Sequence, residues 1–379
     1  MTAVRMAASL PSGRHLALLA LVAVIAFIAA LPQIMRVPEP RHYYRFNAAE
    51  FHVKGKPDRT VSLPARWVHE TAFGPETATY RISFVPKDLP DTELALFIPA
   101  VRQTIEVRLN GHLLPPMPRS SWSSPRSGYA YAATLPQQFI DAGGHNDLEI
   151  RLIRTDGWLS GYLSPVYVSA AKDVKGYRRI ADMLTEQWRA MTFALHVVAV
   201  MGFVTILLFR YHDPVFQWLT LVTGWSLVLV LSQSPVVGQF LDGSRLYLLP
   251  GVAGVGLMAI GVAMALTGRD HPHWLRISVW LVPLALFLFG VSGVVGLPAA
   301  IVAGIAIMIV SYAVAASILI RGFSQNGGWQ GAMLSVPFAL SAWFAAHDLL
   351  MGLGLNDGVF LLTPYMRTMI LVVIMIVLM

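Results

Sequence analysis

Four ionisable residues lie inside long apolar stretches of the chain: His196, His347, Asp348 and Arg367. A charged side chain at the centre of a bilayer costs about 2.5–3.5 kcal/mol on insertion scales, so such a residue normally faces protein and finds a partner. Helices rise by about 1.5 Å per residue, which puts all four residues at a similar expected depth. The sequence therefore predicts an intramembrane polar cluster in which Asp348 and Arg367 form an ion pair between consecutive helices.

Two interpretations of this intramembrane polar cluster remain open. In the first, the cluster couples an event outside the membrane to movement of the helices below. In the second, it is a static contact that holds the helices together. A catalytic interpretation has no support, because His347 and Asp348 are adjacent in sequence but have no nucleophile beside them. The sequence predicts no catalytic residue.

A second set of residues, in the first half of the chain, has the chemistry to bind a sugar. Aromatic rings can stack on sugar rings, and these aromatics fall in stretches that resemble loops. Arg119 and Asp156 would add polar contacts. The alternative is ordinary loop packing, or contact with a membrane surface. The candidate ligand-binding residues are Trp122, Tyr129, Tyr131, Trp158, Tyr162 and Arg119.

Other motifs predict no metal, cofactor or nucleic-acid site. His271 and His273 are two imidazoles without a third ligand. The glycines between Gly251 and Gly256 lie in an apolar segment, where small residues favour close helix packing. The chain has no cysteine, which excludes disulfides and thiolate chemistry. Its formal charge of +7 comes without a basic run interleaved with aromatics, so nucleic acid is not an expected partner.

Composition indicates the elements that must position these residues. The chain is 55% hydrophobic, which is typical of a membrane protein. A helix needs about 20 apolar residues to cross a hydrocarbon layer of roughly 30 Å. Residues 191–379 meet this length repeatedly, and we predict an all-α seven-helix transmembrane bundle with the segments Met191–Leu208, Phe216–Leu231, Leu246–Leu266, Leu275–Val294, Ala299–Ile320, Trp329–Leu353 and Val359–Met379.

Two further segments connect this bundle to the rest of the chain. Residues 1–36 are predicted to be a signal peptide or an N-terminal membrane anchor, because Arg5 and Arg14 precede a long apolar run. Residues 172–190 are charged, with apolar residues at helical spacing. They predict a juxtamembrane helix or stalk, with Trp188 in the interfacial belt.

Residues 37–171 are predicted to form an all-β sandwich, because short alternating runs are separated by turn residues. Asn110-Gly111 predicts a tight hairpin, since both residues tolerate positive φ. Four motifs in this region resemble the galactose-binding-like jelly roll, a non-catalytic module of many glycosidases. The resemblance implies a jelly-roll sandwich that often binds carbohydrate, and it rests on Leu63–Trp67, Thr79–Phe84, Ile105–His112 and His145–Ile150.

Orientation follows from the export of the predicted sandwich. The first span of the bundle then runs inward, which leaves most arginines of the connections inside, as the positive-inside rule expects. We predict a multi-pass protein of the bacterial inner membrane, with residues 37–190 in the periplasm. The chain reaches Met379 inside an apolar segment, which favours a continuation into a cytoplasmic module.

This architecture resembles the bacterial seven-transmembrane receptors with diverse intracellular signalling modules, the sensory part of many membrane sensor histidine kinases. The resemblance implies a signal receptor that acts in a two-component system, as a homodimer, with a cytoplasmic kinase and a response regulator as partners. The alternatives are a transporter, or a membrane-bound glycan-modifying enzyme with an accessory carbohydrate-binding domain. A transporter would show broken helices and internal repeats, and no convincing repeat is present in the sequence.

Overall fold

The structure is a computed structural model. It describes residues 39–67, 76–86, 92–118, 128–154, 161–183, 187–231, 244–293, 296–324, 329–353, 355, 362–363 and 370–371. The predicted anchor, residues 1–36, lies outside the described residues. So do Arg119, Trp122, Asp156, Trp158 and Arg367.

The first half of the described chain is built from strands. In chain order they are β1 Tyr44–Phe46, β2 Ala48–Val53, β3 Arg59–Ser62, β4 Ala65–Trp67, β5 Thr77–Phe84, β6 Leu94–Arg102, β7 Thr104–Leu109, β8 His112–Leu113, β9 Tyr129–Leu135, β10 Asn146–Ile153, β11 Gly161–Leu163 and β12 Val166–Ala170.

These strands form two sheets of six strands, paired antiparallel. Sheet A has the order β1-β12-β6-β11-β4, with β9 also paired to β6, and sheet B has the order β3-β2-β5-β10-β7-β8. Apolar residues of both sheets pack into one core, because alternate residues of each strand point to the same face. Sequence patterns had indicated most of these strands, but β1, β4, β9 and β11 were not predicted.

The predicted hairpin at Asn110-Gly111 is confirmed. Leu109 in β7 is directly opposite His112 in β8, which leaves a two-residue turn. Asn110 has a φ of 49° and Gly111 a φ of 82°. Positive φ at both central residues is the geometry of a type I′ turn, which matches the twist of the flanking strands.

A short helix, α1 (Ala171–Asp182), follows β12 and packs on the outer face of sheet A. Its buried residues are Ala171, Val174, Arg178 and Ala181, spaced so that they share one side of the helix. Ala171, Val174 and Ala181 meet apolar side chains of β6, β9 and β12. Residues 172–182 of the predicted helix or stalk are therefore helical and lie against the sheet.

Six further α-helices follow in the described residues. They are α2 Trp188–Phe209, α3 Pro214–Leu231, α4 Val252–Leu266, α5 His273–Val291, α6 Gly296–Ser324 and α7 Trp329–Gly352. The predicted order of a β-sheet region followed by a helical region is confirmed. The third predicted segment begins with a 3₁₀ helix, Ser244–Gly251, in which Pro250 lacks the amide hydrogen that an α-turn would use. α6 is longer than predicted.

These six helices are long and apolar enough to cross a membrane, α4 together with the end of its preceding 3₁₀ turn. The chain is therefore a multi-pass membrane protein. The seventh predicted segment, Val359–Met379, lies outside the described residues except for Leu362, Thr363, Ile370 and Leu371. Leu371 is buried in the core of the bundle and Ile370 packs against it.

Helix α4 is at the centre of the bundle, and nearly all its residues are buried. Glycines allow its neighbours to approach closely. A Cβ atom on Gly256 would lie 2.7 Å from the Cα atom of Met308 in α6, and one on Gly261 would lie 2.4 Å from the Trp218 ring. The prediction that small residues in this segment serve helix packing is confirmed for Gly256.

Candidate functional site

Arg102 of the sheets and Met351 of the helices are in contact. Arg102 ends strand β6 and its side chain is almost completely buried, at 1% exposure. Its Nη2 atom donates a hydrogen bond to Sδ of Met351, at 3.2 Å. Met351 is the last residue but one of α7 and is fully buried. The contact places the end of the central strand of sheet A against the end of α7.

Arg102 belongs to a row of three polar residues across sheet A. Tyr162 in β11 is directly opposite Arg66 in β4 on one side and Arg102 in β6 on the other. Residues directly opposite one another point to the same face of a sheet. Their sequence neighbours belong to the core between the sheets. The row therefore lies on the outer face of sheet A, the face that α1 covers elsewhere.

The charged neighbours of Arg102 come both from this row of sheet A and from helix α7. Burial, and then the neighbouring charge of Arg66, lower the pKa of the Arg102 guanidinium to about 10, while Tyr162 and Asp348 act in the opposite direction. A carboxylate raises the pKa of a guanidinium only when it is near enough to stabilise the charged form. The effect of Asp348 agrees with its position on α7, three residues before the Met351 that Arg102 contacts.

Asp348 connects α7 to the next part of the chain. It lies three residues before Met351, on the same side of the helix. Its Oδ1 atom accepts a hydrogen bond from the amide of Leu362 at 2.8 Å. Its Oδ2 atom accepts from the amide of Thr363 at 2.8 Å and from Oγ1 of Thr363 at 2.5 Å. Both carboxylate oxygens of Asp348 therefore accept hydrogen bonds from residues 362–363.

This arrangement resembles a helix cap supplied by another helix. Thr363 is helical, and the first amides of a helix have no partner within that helix. A carboxylate satisfies such amides and interacts favourably with the helix dipole. Nδ1 of His347 lies 3.1 Å from Oδ1 of Asp348. The predicted ion pair of Asp348 with Arg367 lies outside the described residues and stays a prediction.

His196 takes part in a different contact, between α2 and α3. Its Nδ1 atom lies 2.7 Å from the carbonyl oxygen of Thr192, and its Nε2 atom lies 3.0 Å from Oγ of Ser226 in α3. A carbonyl only accepts, so Nδ1 carries the hydrogen, and a neutral imidazole then accepts from Ser226 through Nε2. The described contacts of His196 and of Asp348 involve different helices.

A small cavity adjoins His196 within the bundle. Its volume is about 30 Å³, which is enough for a water molecule. Most of its wall is apolar, and Tyr312 of α6 and Phe338 of α7 contribute to it. Ile370 and Leu371 also line it. The seventh predicted segment therefore reaches the same cavity as His196.

Three of the predicted ligand-binding aromatics are strand residues, so their assignment to loops is wrong. Tyr129 and Tyr131 lie in β9 and Tyr162 in β11, and all three are buried. The hydroxyl of Tyr129 donates to the carbonyl of Gln103 at 3.1 Å, and that of Tyr131 donates to the carbonyl of Leu114 at 3.4 Å. The continuous run of aromatic and small apolar residues in β9, typical of a strand buried on both faces, is the signal that was available in the sequence. Ligand binding by these residues stays a prediction.

Sequence reasoning also missed Arg102, Arg66 and Met351. Arg102 follows an unbroken run of apolar residues in β6, and a charge that ends such a buried strand is the available signal. Its partner could not be found in this way, because Met351 is 249 residues away in sequence.

The fold and this junction define a multi-pass membrane protein with a β-sheet domain docked on its helices. No protein-family model and no curated protein match the chain. Similar solved structures include a β-D-glucuronidase of Dictyoglomus thermophilum, at 18% identity over 32% of this chain and 22% of that chain, with a TM-score of 0.24. A β-glucuronidase of Faecalibacterium prausnitzii has 13% identity over 30% and 22% of the two chains, with a TM-score of 0.23.

A third similar structure is a β-glucosidase of Kluyveromyces marxianus in complex with glucose. Its identity is 13% over 39% of this chain and 17% of that chain, with a TM-score of 0.23. The chain therefore spans less than a quarter of each of these enzymes. At such TM-scores the likeness carries no argument about function.

Proposed function

We propose that this chain is a transmembrane signal receptor of the bacterial inner membrane. In this proposal residues 1–36 are the signal peptide or anchor, and residues 37–190 lie in the periplasm. The two sheets form a jelly-roll sandwich that senses a ligand such as a carbohydrate. Residues 191–379 form a seven-helix bundle that transmits the state of the sandwich to a cytoplasmic signalling module, a histidine kinase of a two-component system.

The observation that carries this proposal is a continuous set of contacts from sheet A to residues 362–363. Arg102 contacts Met351 at the end of α7. One turn earlier, Asp348 accepts hydrogen bonds from the amides of Leu362 and Thr363. Movement of the end of β6 would therefore change the position of α7 and of the segment that begins at these residues. Coupling requires such an element, whose position both sites can influence.

The number of described apolar helices agrees with a bundle that carries the sheets on one side of the membrane. Among the described residues the first apolar helix is α2, which begins at Trp188, shortly after the helix α1 that packs on sheet A. The sixth of these apolar helices is α7, which ends against sheet A at Met351. An even number of crossings returns a chain to its starting side, so six crossings agree with both contacts. One further crossing after Thr363 would place the end of the bundle on the side opposite the sheets.

The orientation is tested by cysteine labelling, because the natural chain has no cysteine. Lys54 lies on the turn after β2 and Tyr211 lies in the connection between α2 and α3. We expect a membrane-impermeant maleimide to label Lys54→Cys in intact spheroplasts, and Tyr211→Cys only after permeabilisation. The opposite pattern would reject a periplasmic sandwich.

Signal transmission is tested with the receptor joined to its kinase, or to a kinase reporter placed after Met379. We expect Arg102→Gln and Asp348→Asn to change basal output several-fold, because each breaks one step between sheet A and residues 362–363. Arg108→Gln is the matched control, since Arg108 is a partly exposed arginine of sheet B that pairs with Glu106. Unchanged output in both variants, at normal membrane levels, would contradict the proposal.

The ligand class is tested separately. We expect the purified chain to bind a member of a panel of mono- and disaccharides. Trp122→Ala and Trp158→Ala are expected to weaken that binding, because a stacked ring supplies much of the contact with a sugar. If both variants retain the affinity of the wild type, the sugar site lies elsewhere.

A further inference from the structure

A polar cleft lies between helix α1 and sheet A, close to the start of α2. Its volume is about 460 Å³. Glu93, which precedes β6, and Met117 form part of its wall. The other residues that matter here come from α1, from β9 and from the position just before α2: Lys175, Arg178, Arg179, Asp182, Thr134 and Gln187.

Arg178 places a buried guanidinium, held in position by its neighbours, in the wall of this cleft. Its side chain is 7% exposed, and its Nε atom lies 3.5 Å from Oδ2 of Asp182. Its Nη2 atom donates a hydrogen bond to the carbonyl of Pro118. These contacts hold a buried guanidinium in place. A built anion site needs such a preorganised donor, since no ordering cost is then paid on binding.

The remaining charges of the cleft favour an anion. Lys175 and Arg179 are exposed, so their long side chains can turn towards a bound group. Asp182 and Glu93 are the acidic residues of the lining. Three basic groups against two acidic ones leave an excess of one positive charge. Asp182 pairs with Arg178, so Lys175 and Arg179 supply the positive charge that exceeds that of Glu93.

The position of the cleft relative to the membrane follows from α2. This helix has 22 residues, which corresponds to about 33 Å at 1.5 Å per residue. That length matches a hydrocarbon layer of roughly 30 Å. Trp188, its first residue, therefore lies at the interface, and Gln187 lies at the level of the lipid headgroups. Ile180 and Met183 of the same region are exposed apolar residues, at 43% and 58%.

We propose that this cleft binds the phosphate-bearing headgroup of an anionic phospholipid from the leaflet on the side of the sheets. Basic groups beside a membrane helix attract anionic lipids, and the exposed apolar residues suit contact with the interface. The bound lipid would hold α1, and with it sheet A, at a fixed height above the bilayer. The proposal goes beyond receptor function and needs no signalling output, so the two can fail separately.

The test uses the purified full chain in a neutral detergent. We expect phosphatidylglycerol to raise the melting temperature more than phosphatidylcholine does. In the double variant Lys175→Gln/Arg179→Gln, the apparent affinity for phosphatidylglycerol should fall by about fivefold for each charge removed. Lys54→Gln/Lys56→Gln makes the same change of charge on the turn after β2, and should retain the wild-type affinity.

Several results would overturn the proposal. The first is equal stabilisation by the two lipids. The second is an unchanged affinity in Lys175→Gln/Arg179→Gln. The third is the same affinity for glycerol 1-phosphate as for the lipid, which would identify a soluble phosphate ligand instead. If the double variant does not fold, the salt dependence of phosphatidylglycerol binding is measured on the wild type. Binding that does not weaken as salt is added would exclude a charged cleft.

Discussion

Arg102 in strand β6 and Met351 in the last turn of α7 are in direct contact, with Nη2 of the arginine 3.2 Å from Sδ of the methionine. The contact joins a sheet to a membrane helix through one buried side chain on each side. Because Asp348 is one turn away on α7 and holds residues 362–363, the end of α7 touches both the sheet and the start of the following segment. Among the residues that the structure describes, the end of α7 is thus one place where the two halves of the molecule are in contact.

The carboxylate of Asp348 is expected to stabilise the backbone conformation of residues 362–363. Asp348→Asn removes the negative charge and leaves one acceptor oxygen for two backbone amides. We expect a loss of about 1–2 kcal/mol in local stability, seen as hydrogen exchange at Leu362 and Thr363 that is about tenfold faster in nanodiscs.

Asp213→Asn provides a control of the same chemistry. Oδ1 of Asp213 accepts from the amide of Val215 at 3.0 Å, at the start of α3. This variant should speed exchange at the start of α3 and leave residues 362–363 unchanged. If Asp348→Asn has no effect on residues 362–363, its carboxylate is not their cap.

Close packing of α4 against α6 predicts a strong effect of Gly256→Ala. The new Cβ atom would lie 2.7 Å from a backbone atom, Cα of Met308, which cannot rotate away. The helices must move apart, at a cost of about 1–3 kcal/mol, and thermal unfolding in detergent should occur several degrees lower.

Gly224→Ala in α3 separates this packing effect from helix propensity. A Cβ atom there meets nothing within 4 Å, and alanine is favoured over glycine within a helix by about 1 kcal/mol. We expect an equal or higher melting temperature. A similar loss in both variants would show that α4 and α6 are not packed as closely as described.

The hydrogen bond between His196 and Ser226 is expected to make a modest contribution to the association of α2 with α3. Polar contacts between membrane helices average roughly 0.6 kcal/mol in double-mutant cycles. A cycle with His196→Ala and Ser226→Ala should give a coupling energy of this size. Ser317→Ala, whose hydroxyl bonds to the carbonyl of Ala313 in its own helix, should show no coupling to His196→Ala.

Tyr80→Phe is expected to stabilise the sheets. Tyr80 is fully buried in β5, and its hydroxyl has no hydrogen-bond partner among the residues that the structure describes. A buried hydroxyl without a partner costs about 1–3 kcal/mol in proteins. The variant keeps the ring that packs on Phe51, and it should slow hydrogen exchange in β5 at neutral pH. Faster exchange would reveal a partner that the hydroxyl needs.

The buried hydroxyl of Tyr80 also makes the free energy of unfolding depend on pH in the alkaline range. Burial raises the pKa of the Tyr80 hydroxyl above its usual value of 10, while Arg59 lowers it in part. Above pH 10 the unfolded chain releases this proton and the folded chain keeps it. The free energy of unfolding therefore falls as pH rises above 10. Tyr80→Phe should make this decline less steep, as measured by denaturant unfolding between pH 9 and 11.

Local sequence patterns predicted the features that local physics decides. Positive φ at both central positions of the turn favours small or turn-forming residues. The hairpin could therefore be predicted from the two residues Asn110 and Gly111 alone. The apolar segments could be predicted from length, because a helix must span the hydrocarbon layer whatever surrounds it. Tyr129 and Tyr131 were assigned to loops, because aromatics in a stretch rich in small residues suit a binding loop and a buried strand equally well.

The sequence by itself determined that a strand-rich region precedes a series of apolar helices, since alternation and apolar length are properties of short segments. Tertiary structure alone decided that Arg102 meets Met351, that Asp348 holds the amides of residues 362–363, and that α1 lies on sheet A. Each of these contacts joins separate elements of the fold. Which side chains meet is then set by strand register, helix packing and burial together, and no single segment contains that information.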